Sequence, residues 1–397
     1  MRLSKIRLLI RLAILLVWLS RSIPTSAAPV SSPTAPVVFV DLAKLGWAPP
    51  RNVSDREFFR DFTLEKLFAQ DVNTRVVFLT EDVLVAYHTK QEGEDWRRSP
   101  RSIEAFFISS KDGSLLVTRR WSTGLRRSID DLADSQARLI PLDGGRFLVV
   151  KNGVITLYSL DGELLRQRKL EPSTDLWAAQ SIASGRGMVL RGNSASVPVK
   201  YRWLTLDTLE TKRCLETKYE MPEYRGRDYA IGPAVADEKS LFERTRSGIR
   251  KIDLEQNAKI ICDDPLCRET GNLSVLSAHY LGWSGMSGIG VVEKDRGLVW
   301  SRSVETKYQH NAFEFGHLET AISGTKFALW AVANGKPVFD GVEIKDLTIL
   351  VYDVANLKAH PLVFRWKPRG DWAFGLSPKG TKLAIFDQGK VQIYRLQ

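Results

Sequence analysis

Histidine and cysteine are scarce in this chain of 397 residues: five histidines (His88, His279, His310, His317 and His360) and three cysteines (Cys214, Cys262 and Cys267). No His-Glu-x-x-His occurs. His310 and His317 stand seven apart, not at the i, i+4 spacing that puts two ligands on one helix face. No phosphate-binding P-loop occurs. In the Gly-rich stretch Gly282–Gly290 (GWSGMSGIG), neither Ser284 nor Ser287 has glycine at both minus two and plus two, which excludes a nucleophile elbow. No helical pattern follows it, which excludes a dinucleotide loop, and its glycines read as a turn at the entrance of a strand unit. The apolar run Leu12–Leu19 (LAILLVWL) falls short of the roughly 20 residues a membrane-spanning helix needs. These absences leave no catalytic, cofactor-binding or metal-ligating residue to name.

What is present begins with a segment unlike the rest. Arg2, Lys5, Arg7 and Arg11 form a basic start, Leu12–Leu19 an apolar core, and Thr25-Ser-Ala-Ala28 a small-residue end. This is the three-part pattern of a secretory signal peptide over 1–27, with cleavage after Ala27; an uncleaved N-terminal anchor is the alternative. A Pro/Ser-rich linker (28–36) and a folded body (37–397) follow. The net charge is +11, and the signal holds five basic residues and no acid, so the mature chain keeps +6. That is a mild excess, not a nucleic-acid footprint. The expectation is a secreted or periplasmic monomer with no membrane span after cleavage.

The body repeats one pattern: an apolar strand, a tight polar turn, another strand. The clearest copies are Ile103–Arg120, Val154–Leu170, Tyr201–Leu215, Ile249–Cys262 and Leu347–Phe364. Each turn carries Asp, Asn or Gly, which tolerate the backbone angles of a reversal. Compact apolar runs mark one strand per unit: Val83–His88, Phe147–Val150, Met188–Arg191, Leu241–Arg246, Ile289–Val292, Phe327–Val332 and Leu383–Phe386. Their spacing averages about 50 residues, close to a four-stranded propeller blade. The fold class is therefore all-β, a β-propeller of seven four-stranded blades.

The last unit, Trp372–Leu396, reads as three strands with turns at Pro378-Lys-Gly380 and Asp387-Gln-Gly389. A ring must close, because open sheet edges invite aggregation. The missing strand comes from the N-terminal part, either Val37–Leu42 or Asp61–Phe68. The closure requirement favours reading the latter as strand. A capping-box pattern at Ser54-Asp-Arg-Glu57 suggests one short helix over Ser54–Arg60.

The ending AFGLSPKGTKLAIFDQGKVQIYRL resembles the blade pattern of the bacterial WD-repeat-like and quinoprotein-like β-propeller superfamilies, with Lys379 in place of their Asp and no Trp-Asp pair closing the blades. The resemblance implies a propeller over most of Thr74–Leu396 and no particular substrate. The vicinal cysteines often found in the quinone-cofactor branch are absent, as is a haem-attaching Cys-x-x-Cys-His, so no cofactor is expected.

Two local features remain. Cys262 and Cys267 close a short loop and, in an oxidising compartment, favour a disulfide over a metal site; Cys214 reads as a buried strand thiol. Thr89–Ser102 (TKQEGEDWRRSPRS) joins two apolar strands through a charged insert, and Trp96, Arg97 and Arg98 carry the chemistry most common at binding hot spots. The expected function is a binding or scaffold module for an unknown protein or small-molecule partner. The alternative is a propeller hydrolase or oxidoreductase with its site in the central channel.

Overall fold

In a computed structural model the chain divides into two compact units, Met1–Ser31 and Ser32–Gln397. The structure describes residues 35–49, 72–92, 100–124, 138–151, 154–169, 174–181, 187–192, 199–217, 235–255, 257–268, 271–285, 288–303, 315–321, 323–338, 341–367 and 371–396, all in the second unit. The expected signal, Ser54–Arg60 and Asp61–Phe68 lie outside them.

The second unit opens with β1 (Val38–Asp41), followed by a 3-10 turn at Leu42–Leu45. Blade 1 is β2 (Val72–Phe78), β3 (Val83–Gln91), β4 (Arg101–Ser109) and β5 (Leu115–Gly124). Blade 2 is β6 (Arg138–Pro141), β7 (Phe147–Lys151), β8 (Val154–Tyr158) and β9 (Leu164–Lys169). Blade 3 is β10 (Thr174–Ser181), β11 (Gly187–Gly192), β12 (Val199–Thr205) and β13 (Thr211–Thr217). Blade 4 is β14 (Val235–Ala236), β15 (Ser240–Thr245), β16 (Gly248–Asp253) and β17 (Ala258–Cys262). Blade 5 is β18 (Gly271–Val275), β19 (Tyr280–Gly285), β20 (Gly288–Glu293) and β21 (Gly297–Ser303). Blade 6 is β22 (Phe315–Thr320), β23 (Lys326–Val338), β24 (Gly341–Asp353) and β25 (Leu362–Trp366). Blade 7 is β26 (Trp372–Leu376), β27 (Lys382–Asp387) and β28 (Lys390–Arg395). Six sheets are sequential antiparallel meanders, and the seventh has the order β1-β28-β27-β26.

The ring closes through β1. Val38 pairs with Ile393 and Asp41 with Lys390, so β1 takes the outermost place in blade 7. That fills the fourth position, and the strand read at Asp61–Phe68 is not the one that closes the sheet. The first strands are innermost: β26 lies against β2, β2 against β6, β6 against β10, β14 against β18, β18 against β22, and β22 against β26. Blade 7 meets blade 1 closely there. A Cβ on Gly375 would come within 2.7 Å of the Val76 carbonyl oxygen.

Each blade junction holds its own apolar cluster, because a strand sandwiched between neighbours buries both faces. Along β3, Leu84 and Ala86 pack toward blade 7, whereas Val85 and Tyr87 pack toward blade 2. This explains the compact apolar runs, which are the second strands of six blades. In blade 5 the run Ile289–Val292 is instead the third strand. The second, β19, is the glycine-bearing YLGWSG, which does not read as an apolar run. Gly282-Trp-Ser-Gly285 is thus strand rather than entrance turn, with Trp283 and Ser284 buried. The recurring hairpin is the third and fourth strands of a blade, joined by short polar turns.

Outer strands are tied to the next blade by arginine. Arg119 of β5 donates to the carbonyls of Asp161 and Gly162 in blade 2, and Arg166 of β9 donates to Asp207 O in blade 3 at 3.2 Å. Cys214 sits on the outermost strand β13 and is exposed, not buried, because that strand has no neighbour beyond it.

Candidate binding face

An antiparallel meander sends its connections out of two ends. First-to-second and third-to-fourth connections leave by one end; second-to-third connections and the passage to the next blade leave by the other. The first end carries mostly short turns, such as 79–82, 110–114, 159–163, 237–239 and 294–296, and its longest connection is 354–361. The second end carries the long connections 46–71, 92–100, 125–137, 218–234 and 304–314. Blade 6 adds a ribbon there. β23 and β24 run 13 residues each, against 6 and 5 in the flanking β22 and β25, and they pair with each other out to Val338 and Gly341.

The insert between β3 and β4 opens on this face, where Glu92 N donates to Pro100 O at 3.0 Å. Its counterparts in most other blades are only 152–153, 246–247, 286–287, 339–340 and 388–389. Trp96, Arg97 and Arg98 lie outside the described residues.

Beneath this face, blades 7 and 1 meet in a polar row. Strand register sets His88 opposite Glu104 and Glu104 opposite Arg120. Arg120 Nη2 reaches Glu104 Oε1 at 2.6 Å, and His88 Nε2 stands 3.5 Å from Glu104 Oε2. The His88 imidazole and the Arg120 guanidinium hold the Glu104 carboxyl down at about 2, against the opposing effect of burial. Trp47, delivered by the chain after β1, sets its ring edge-on to His88 with centroids 6.2 Å apart. From blade 7, Asp371 Oδ2 accepts from Thr74 N at 2.9 Å, and burial pushes the Asp371 carboxyl up.

Within this row His88 is placed to position strands rather than to meet a substrate. A general base must come within hydrogen-bond reach of the proton it takes, and the His88 side chain is fully buried. Sequence reasoning missed His88, Glu104, Trp47 and Asp371. Only cross-strand register and a contact spanning almost the whole chain bring them together.

Cys262 and Cys267 are joined as a disulfide with Cα atoms 6.2 Å apart, where β17 leaves toward blade 5. Both are buried in the apolar cluster that includes Trp283. His310 lies outside the described residues. Among the described residues there is no group of three His, Cys, Asp or Glu that could hold a metal ion, and no helix long and apolar enough to cross a membrane.

No protein-family model matches the chain, and no curated protein matches it. Solved structures similar to it include the WD40 domain of Neurospora crassa Pan2, at 11% identity over 94% of this chain and 99% of that one, with a TM-score of 0.52. The WD40 repeats of RRP9 match at 7% identity over 82% and 98%, with a TM-score of 0.49. Virginiamycin B lyase from Staphylococcus aureus matches at 11% identity over 83% and 99%, with a TM-score of 0.44. At such identities the likeness is one of fold. By its seven four-stranded sheets the chain is a seven-bladed β-propeller, and its likeness to the Pan2 domain is a resemblance of fold to WD-repeat propellers.

Proposed function

We propose that this chain is an exported β-propeller that serves as a binding or scaffold module, taking a protein or small-molecule partner on the long-connection face. The observation that carries the reading is the asymmetry of the two ends. One end has mostly tight turns, the longest connection there being 354–361, while the other gathers the connections of nine residues and more and the blade 6 ribbon. Variable loops held on a rigid scaffold are where recognition is built. Trp96, Arg97 and Arg98 sit in the longest second-to-third connection and supply aromatic and guanidinium anchors. Export rests on the basic, apolar and small-residue pattern of 1–28, which N-terminal sequencing of the protein outside the cytoplasm checks directly.

Cross-linking of the exported protein in its own compartment, read by mass spectrometry, tests the binding face. Cross-links to a partner should fall on the long-connection end. They should vanish when 93–99 are replaced by a short Gly-Ser link that leaves the melting temperature unchanged. Partner cross-links confined to the tight-turn end would overturn the reading.

A further inference from the structure

The polar row where blades 7 and 1 meet holds more hydrogen-bonding capacity than the protein around it uses. Trp47 Nε1, Thr74 Oγ1, His88 Nδ1 and Asp371 Oδ1 are buried, and among the described residues none of the four has a hydrogen-bond partner. Thr74 and His88 are each 1% exposed and Trp47 is 8% exposed, so bulk solvent does not meet the need. A buried donor or acceptor left unmet is costly, and native folds seldom leave several in one place.

The four side chains come together at one seam. His88 alternates with Leu84 and Ala86 along β3 and so faces blade 7. Trp47 lies edge-on to His88 and packs against Phe386 of blade 7 with centroids 5.6 Å apart. Thr74 N donates to Asp371 Oδ2 at 2.9 Å, which sets the Thr74 hydroxyl beside that carboxyl. Burial pushes the Asp371 carboxyl up, and Thr74 and His88 both oppose the push, so His88 is within electrostatic reach of Asp371. The frame is held from blade 7: Gln388 N donates to the Asp371 carbonyl at 2.9 Å, and a Cβ on Gly389 would meet Trp47 Cζ3 at 2.6 Å.

The set of groups says what the site takes. The indole N–H only donates, an ionised Asp371 oxygen only accepts, and the hydroxyl and imidazole can serve in either role. A cation would be set against the indole N–H, with the Arg120 guanidinium close by on Glu104. An anion would face Glu104, kept ionised by His88 and Arg120, as well as Asp371. What fits is a small neutral molecule that both donates and accepts. Water buried among otherwise unmet polar groups does this, typically with about three hydrogen bonds.

We propose that the seam of blades 7 and 1 is a built water site, in which buried water bridges Trp47 Nε1, the Thr74 hydroxyl, His88 Nδ1 and Asp371 Oδ1. The ring then closes through bound solvent as well as through β1. The water ties the chain after β1 to the inner strands of blade 1 and to the entry of blade 7, segments that chain continuity does not join.

A crystal structure of the protein at a resolution that shows ordered solvent tests this directly. A water should lie within roughly 2.7–3.2 Å of His88 Nδ1 and of at least one of the other three atoms. A protein side chain in that place, direct bonds among the four groups, or no solvent density would each overturn the proposal. Thr74→Val, which keeps the branched shape and the backbone bond to Asp371, separates a wet seam from a dry one in solution. In a dry seam the change removes an unmet group, and the melting temperature should hold or rise. With a bridging water it should fall by about 1–2 °C. A melting temperature equal to or above the parent's would overturn the proposal.

Discussion

The junction of blades 7 and 1 and the junction of blades 4 and 5 solve the same packing problem with different materials. At 4/5 a disulfide-bearing connection runs directly between the blades, and Lys294 Nζ reaches across to Asp237 Oδ2 at 2.6 Å while lying over the Phe242 ring at 4.9 Å. Arg244 stacks over Trp283 at 5.6 Å. At 7/1 the partners come from opposite ends of the chain. Glu81 accepts from Lys379 N at 2.6 Å and from the Thr381 hydroxyl, while its own carbonyl accepts from Lys382 Nζ at 2.6 Å. The borrowed strand β1 and Trp47 complete the seam, restoring the outer-strand-to-first-strand passage that chain continuity provides elsewhere. Where the ring is cut in sequence, an exchanged strand and a backbone-directed carboxylate take the place of a short covalent link.

The most severe way to break this contrast is to remove β1. Deleting residues 1–48 should destabilise the whole body, since Val38, Val40, Leu42 and Trp47 are buried and each is worth roughly 1.5–3 kcal/mol. Deleting 1–34 should leave thermal unfolding unchanged. Equal melting of the two truncations would disprove closure by β1.

At 4/5 the largest effect should come from Asp237→Ala, which strands Lys294 in a site that leaves its side chain 4% exposed. A loss of about 3–5 kcal/mol in denaturant unfolding is expected. Adding Lys294→Met should recover much of it; no recovery would mean the ion pair is not what the single change disturbs.

Acid should separate the junctions next. The folded-state carboxyl of Glu104 lies at about 2 against an ordinary 4.5, so its contribution is present above pH 4.5 and lost as pH falls toward 2. With Arg120 partly in solvent, the loss should be about 2 kcal/mol. Glu104→Gln should flatten this part of the pH profile, and an unchanged slope would refute the assignment.

Reduction of Cys262–Cys267 should cost less than the roughly 3 kcal/mol of a 15-residue loop, because the closed loop is short. Calorimetry with and without reductant measures it, and loss of all folding on reduction would contradict it.

The smallest effect is expected from Asp371→Asn. Burial raises this carboxyl, so its ionised form weakens the fold at neutral pH, and the penalty disappears as pH falls below the folded value. The amide oxygen can still accept from Thr74 N. The variant should be neutral or more stable by up to about 1 kcal/mol at neutral pH. A clear destabilisation would show that the charge itself is needed.

The hairpins were legible because their information is local. Asp-Gly at 161–162 between apolar runs turns the chain without help from elsewhere. Five third-to-fourth-strand hairpins stand out in the sequence, and blade 7 lacks one because its fourth strand lies near the other end of the chain. Blade 5 was misplaced by one strand because glycine weakens the apolar run of β19. The polar row at His88 was not legible, since a strand histidine has the same one-dimensional surroundings whether it faces solvent or Glu104.

By itself, the sequence determined the fold class, the repeat of about seven units and the need for a borrowed strand. Turn chemistry and alternation act within some fifteen residues, and a reader needs no more than that span to see them. Tertiary structure decided which segment closes the ring, which end gathers the long connections and which carboxylates are buried. Val37–Leu42 and Asp61–Phe68 are both plausible strands in isolation. The choice rests on whether Val38 and Val40 fit beneath the turn at Gly113 and whether Trp47 fits beside Gly389. Those complementarities join residues far apart in the chain, and only packing in three dimensions weighs them.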